Sequence, residues 1–225
     1  MNHAPSFRPN MPITFYYGSG SAPAWRVWLA LEHKRLPYDF RLMSFSDGHL
    51  KKLEFLALNP RGRVPTITDG EFVLYESSAL VEYLDEQYPA TPRLFPGTTR
   101  DRALVRRRVS EIDDDGDGAF ATLTRAVLGT ARADWKEDAI AAARAAWLAE
   151  LETIADGMAG DYLCGDRVTA ADFALYPMLA VAARCDLKKP ELRIADARPA
   201  RIGAWAARIE ALPYFAKTTP PHWKA

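Results

Sequence analysis

Apolar positions along this chain change rhythm once, near residue 90. Before that point, short runs that read as strands alternate with stretches of helical spacing. Ile13-Thr14-Phe15-Tyr16-Tyr17 is β-branched and aromatic and closes on Gly18, the pattern of a strand. A Gly-Ser-Gly-Ser turn follows, and Pro23 stands where a helix can open, because its fixed φ suits a first helical turn. Val27, Ala30, Leu31 and Lys34 keep helical spacing, with Ala30 and Leu31 on the buried side. Residues 38–42 predict a second strand, and 50–58 a short helix ending before Asn59-Pro60. Two further strands, 64–68 and 72–74, flank Asp69-Gly70, a strong hairpin signal. Residues 77–88 predict a helix with Leu80, Tyr83, Leu84 and Tyr88 as its apolar stripe, stopped at Pro89. The order is βαβαββα.

Beyond Pro96, Ala, Leu and Arg dominate and no strand pattern recurs. Helices are predicted over 99–130, 135–157, 170–185 and 199–212. Residues 89–97 carry three prolines and one glycine, which marks a linker. The reading is an α/β domain over 11–90 and an all-α domain over 98–225.

A chain of 225 residues, 48% of them apolar, can build two small cores. Its 29 basic residues equal its 29 acidic ones. That balance argues against nucleic acid or an anionic membrane as partner, since both favour a basic excess. The one basic run, Arg106-Arg107-Arg108, points in three directions on a helix and reads as a solvated face. Cys164 and Cys185 form no CxxC, so neither a disulfide framework nor a metal site is indicated, and a reducing compartment fits. Residues 1–10 lack the apolar stretch of a signal peptide, and no run approaches the ~20 apolar residues that cross a bilayer. A cytoplasmic location is the expectation.

Three motifs carry chemistry. The segment from Phe15 to Val27, with Ser19-Gly20-Ser21-Ala22-Pro23-Ala24-Trp25-Arg26, resembles the first strand, loop and helix of serine-type glutathione transferases. Delta-class loops read Ser-Ala-Pro-Cys-Arg and zeta-class loops Ser-Ser-Cys-x-Trp-Arg-Val, and both alignments put the catalytic serine on Ser21. A free thiol with a pKa near ~8.5 is only a few per cent thiolate at neutral pH. A hydroxyl bonded to sulfur beside a helix N-terminus favours the charged form. A serine there also serves as an ordinary helix cap. Tyr16, Tyr17 and Ser19 offer rival hydroxyls.

Asn59-Pro60-Arg61-Gly62-Arg63-Val64-Pro65 is similar to the family's signature before the third strand. The resemblance implies a cis Pro65 and a Val64 backbone that pairs with the cysteinyl part of glutathione, as an added strand would. Leu74-Tyr75-Glu76-Ser77 resembles the Glu-Ser motif, which implies that Ser77 and the helix N-terminus take the γ-glutamyl carboxylate and Glu76 the amino group. His49, Lys52 and Arg63 are open candidates for the glycyl carboxylate. Where delta-class chains carry a histidine, this one has Gly62.

Gly165-Asp166-Arg167-Val168-Thr169-Ala170-Ala171-Asp172 resembles the family's folding signature, with Thr169 and Asp172 as a capping-box variant. Asp113, Asp115, Asp117 and Gly118 match half of a calcium loop, but position twelve is Thr124 rather than Glu. Calcium is therefore not expected; these carboxylates are read as lining a cleft or interface, and the adjacent glycines as bending the helix.

The resemblance to the cytosolic glutathione S-transferase family implies a thioredoxin-like first domain, a homodimer, glutathione as co-substrate and an apolar electrophile between the domains. Phe120, Phe215 and Trp223 are candidate walls for it. The implied activity is thiolate attack on carbon, with peroxidase activity on organic hydroperoxides in addition. A glutathione-dependent isomerase is one alternative. A noncatalytic binding module of the same fold is another, though such modules tend to lose the hydroxyl or Glu-Ser pair kept here.

Overall fold

The computed structural model describes residues 12–223, apart from the side chains of residues 115–117. The reading of residues 1–10, the start of the first domain at residue 11 and the last two residues lie outside the described part. Four strands, β1 (Ile13–Gly18), β2 (Tyr38–Met43), β3 (Thr66–Asp69) and β4 (Phe72–Tyr75), form one sheet in the order β2-β1-β3-β4. β1 runs parallel to β2 and antiparallel to β3, and β3 pairs antiparallel with β4 across the Gly70 turn. Gly70 takes φ +60°, the left-handed conformation that a tight hairpin favours.

Alternation along β1 sorts the faces. Phe15 and Tyr17 are fully buried toward α1 (Ala22–His33), while the Tyr16 ring lies 5.7 Å from Phe55 of α2 (Leu53–Leu58) on the opposite face. The helix expected over 50–58 is split: Lys52 is extended, leaving a single 3-10 turn at His49–Lys51 before α2. α3 (Ser77–Gln87) packs beside α1 and closes this domain.

The second domain is helical: α4 (Thr99–Glu111), α5 (Asp117–Val127), α6 (Glu137–Asp156), α7 (Ala170–Ala183), the short α8 (Cys185–Lys188) and α9 (Ile194–Ala197), α10 (Ala200–Glu210) and α11 (Phe215–Thr218). One helix over 99–130 was expected; a π-turn at Ile112–Gly116 divides it. α7 is the hub, buried along nearly its whole length against α1, α4 and α5. Asp172 in its first turn is buried and accepts from the Thr169 N–H and hydroxyl, the Leu163 N–H and the Trp205 indole. Burial pushes that carboxyl's pKa up, and these four donors oppose the rise. No helix among the described residues is long and apolar enough to cross a membrane.

The linker is pinned by a buried carboxylate. Asp85 on α3 accepts from the N–H groups of Leu94 and Phe95, from Arg93 and, at 3.1 Å, from the fully buried Lys34 ammonium. Burial raises the Asp85 carboxyl, but the Leu94 N–H and Lys34 outweigh it, so the net shift is downward. Burial likewise lowers Lys34, and Asp85 opposes that fall. The interdomain wedge is thus held by charges that would be costly to separate.

His33 ends α1 against the second domain, its Nδ1 2.7 Å from the Tyr214 hydroxyl and its ring on Phe173. Burial drives its pKa from 6.5 down to about 4, with Lys34 adding to the fall. Between those values the unfolded chain binds a proton that the folded one does not. His33 therefore contributes stability at neutral pH that is lost as pH falls from about 6.5 toward 4, roughly 3 kcal/mol in total. In urea titrations the stability advantage of wild type over His33→Gln should shrink across that window; an advantage independent of pH would show that His33 is not the titrating group.

Candidate active site

The segment after β1 is a tight turn: the Ser21 N–H bonds the Gly18 carbonyl at 3.0 Å, and Gly20 sits at φ +86° in the third position. Glycine there is required by the turn. Gly18 is constrained for another reason, because a Cβ on it would lie 2.8 Å from the Val64 side chain and 2.5 Å from Phe45. The serine turn and the Val64-Pro65 segment therefore touch directly.

Ser21 caps α1, its Oγ accepting the Ala24 N–H at 3.3 Å. Capping uses a lone pair and leaves the hydroxyl proton free to donate. The cap and the thiol donor are therefore compatible in one residue. Both act beside the positive end of the helix.

Asn59, buried beneath the second motif, donates to the Arg63 carbonyl and Thr66 Oγ1 and accepts the Arg61 N–H. Val64–Pro65 is cis. The ladder of β3 with its neighbours begins at Thr66, beyond Val64. Gly62 holds φ +57° with its Cβ direction 2.9 Å from the Leu50 carbonyl, so a histidine does not fit there. Arg63 is exposed and lines neither of the two cavities described below.

Glu76 has φ +74°, rare for a side-chain-bearing residue, and precedes Ser77, the first residue of α3. Its carboxylate is exposed and 3.9 Å from Arg61. Glu76 and Ser77 line a cavity of about 260 Å³ with Pro23, Arg26 and Asp113. A buried network forms its floor. Arg26 Nη1 donates to Ser78 Oγ at 2.6 Å and to Asp113 Oδ2 at 3.1 Å, Nη2 pairs with Asp113 Oδ1, and Ser78 donates to the same carboxylate. Arg26 Nε is buried without a partner. Asp113 comes from the π-turn, so of the acidic run one member does line the cleft; the side chains of Asp115 and Asp117 lie outside the described ones.

His49 and Lys52 line a second cavity of about 270 Å³ with Tyr16, Met43, Phe55 and Leu58. His49 Nδ1 accepts the Ser44 N–H at 3.2 Å, which puts a neutral ring's proton on Nε2 as an available donor. Among the rival hydroxyls, Tyr16 belongs to this cavity. Tyr17 is wholly buried, its hydroxyl without a partner in full hydrogen-bond geometry. Burial pushes its pKa up to about 12, against the pull of the nearby Gly20 N–H and Ser19 hydroxyl. Ser19 instead meets His222. Burial also raises the thiols of Cys164 and Cys185, to about 11 and about 12, so neither is a thiolate at neutral pH.

Of the three candidate apolar walls, Phe120 packs on Trp147, and Phe215 and Trp223 pack on Trp25 in the helix that follows the serine turn. The 260 Å³ cavity lies between the domains, with Ala174 and Met178 of α7 and Asp113 facing Pro23, Glu76 and Ser77.

Residues 15–92 match the family described as Glutathione S-transferase, N-terminal domain, and residues 137–208 the one described as Glutathione S-transferase, C-terminal domain. A Vibrio cholerae protein named Probable maleylacetoacetate isomerase is 33% identical over 223 residues, covering 93% of this chain and 96% of its own. The chain belongs to the glutathione S-transferase family. It is similar to the crystal structure of a glutathione S-transferase from the Antarctic clam Laternula elliptica, with a TM-score of 0.82, 32% identity, and coverage of 95% of this chain and 94% of that one. It is also similar to a theta-class glutathione S-transferase from Xanthomonas axonopodis pv. citri crystallised with glutathione bound, with a TM-score of 0.76, 28% identity, and coverage of 93% and 98%. The fold is that of a glutathione transferase and the chain is an enzyme of that family.

In this glutathione transferase, Arg26 and Ser78 are the cavity residues that sequence reasoning missed, and Asp113, read only as one of a run facing a cleft or interface, is their partner. One signal was present: Arg26 is a lone charge inside the apolar run Trp25–Leu31, and a buried guanidinium needs an acid. Asp113→Ala strands it. Because Asp113 is 32% exposed and Arg26 only 6%, the expected loss lies between surface and fully buried pairs, about 2 kcal/mol by urea unfolding. Asp113→Asn should lose less, and a loss below about 0.5 kcal/mol for Asp113→Ala would mean that water replaces the carboxylate.

Proposed function

We propose that this glutathione transferase holds its thiol substrate across the serine turn and joins the thiolate to an apolar electrophile. Ser21 donates its free hydroxyl proton to the sulfur, and the backbone of Val64, ahead of Pro65, pairs with the cysteinyl unit. Ser77 and the α3 N-terminus take the γ-glutamyl carboxylate and Glu76 its amino group. His49 supplies the Nε2 donor for the glycyl carboxylate, with Lys52 and Arg63 as the exposed cations nearby. The observation that supports this reading is the close approach of Gly18, at the start of the serine turn, to the Val64 side chain, which precedes the β3 ladder. The positive φ of Glu76 supports it, since backbone outliers cluster at ligand sites. A homodimer in the cytoplasm completes the proposal, from the family resemblance.

A second reading, a glutathione-dependent isomerase, is favoured by the similarity to the Vibrio cholerae protein and by Trp25-Arg26-Val27. The Ser-Cys pair of zeta-class loops is missing here, which weighs against it. The two readings differ in stoichiometry: conjugation consumes one thiol per turnover, whereas isomerisation returns it.

Bound glutathione should titrate about two pKa units below the free thiol, followed by thiolate absorbance. Ser21→Ala should lose most of that shift and about a hundredfold in turnover at neutral pH, with folding intact. An unchanged thiol pKa in the variant would leave Ser21 as a helix cap alone.

A further inference from the structure

The chain's last described residues return to the serine turn. Trp223 stacks edge-on against Trp25 at 5.2 Å and lies under the Arg184 guanidinium at 4.4 Å. The Trp25 indole donates to the buried Thr218, which fixes the segment just before. His222 then sits on the turn itself. Its Nδ1 is 2.5 Å from Ser19 Oγ, and its ring carbon lies 3.2 Å from where a Cβ of Gly20 would be.

The direction of these bonds follows from the donors. An indole N–H only donates, and that of Trp223 points to His222 Nε2 at 3.0 Å. Nε2 is therefore the acceptor, and a neutral ring carries its proton on Nδ1. Burial and the nearby Arg184 lower the pKa of His222, which keeps the ring neutral at pH 7. Nδ1–H thus donates to Ser19 Oγ, and the Ser19 proton is left to find another acceptor. In the free protein the Tyr17 oxygen beneath the turn is within its reach. A thiolate beside Val64 would be the stronger acceptor, because it is charged.

We propose that His222 is a positioning residue that turns the Ser19 hydroxyl proton toward the glutathione sulfur, making Ser19 a second donor beside Ser21. The chain of donors runs Trp223 to His222 to Ser19 to sulfur, and each bond polarises the next. This inference rests on the glutathione site proposed above and adds to it a contribution from the far end of the chain.

The test is the thiol pKa of bound glutathione, read by thiolate absorbance, together with the KM for glutathione. Ser19→Ala and His222→Phe should each raise the pKa by about one unit, a tenfold loss of thiolate below the pKa. The double variant should lose no more than either single one, since both break the same chain. His222→Asn, which keeps a donor near the Nδ1 position, should restore most of the shift, and KM should change less than threefold throughout. Nitrogen-15 NMR of the ligand-free protein should find the His222 proton on Nδ1. A proton on Nε2, or a pKa in Ser19→Ala equal to that of wild type while Ser21→Ala raises it, overturns the relay and leaves the glutathione site standing. If wild type fails to bind millimolar glutathione while the Nδ1 proton is observed, the glutathione reading itself has failed and the relay's role falls with it.

Discussion

A guanidinium buried on α1 sets the terms for the rest of this molecule. Arg26 is 5% exposed amid tryptophan, valine and leucine, and an ion in such a place must be met by an acid and by hydrogen bonds. The acid is Asp113, from the helical domain, and the hydroxyl is Ser78, from the first turn of α3. One ionic network therefore joins α1, α3 and the second domain at a single point. The helix that carries Ser21 at its N-terminus and the helix that begins at Ser77 are held in register by the same three side chains.

The π-turn at Ile112–Gly116 is the local expression of this requirement. A regular helix from 99 to 130 would carry its acidic run in a continuous spiral; the widened turn changes the direction in which Asp113 is presented and places it against Arg26. Such widened turns recur near functional sites because they re-aim a side chain without ending a helix. The linker obeys a parallel rule. Asp85, charged and fully buried, collects two linker N–H groups, Lys34 and Arg93, so the segment between the domains is tied by its backbone rather than left as a tether.

Much of the fold was legible along the chain because its signals are local. A period of two, a hairpin glycine and a proline stop need only a few neighbours to act, and the βαβαββα order and the capping box at Thr169 and Asp172 stand as read. The misread elements share one cause. Lys52 breaks the helix expected over 50–58 with no proline or glycine there to announce it, and the π-turn opens at Ile112, four residues ahead of Gly116, the first of the glycines read as bending that helix. Tertiary packing overrides propensity at such places. The ring partners of Phe120, Phe215 and Trp223 were equally illegible, since an aromatic residue carries no sign of which remote ring it will meet.

By itself, the sequence determined the residue types at the serine turn, the Val64-Pro65 step, the Glu76-Ser77 helix start, and the two-domain plan that separates them. These depend on turn geometry, capping and backbone constraints that act within a few residues. Only the tertiary structure decided which distant groups complete them: Asp113 for Arg26, the Gly18 contact for Val64, His222 for Ser19. Those partners lie 87, 46 and 203 positions apart along the chain. Charge and hydrogen bonding act through space over a few ångströms, and nothing in a residue's own neighbourhood encodes which remote group the fold will bring that close.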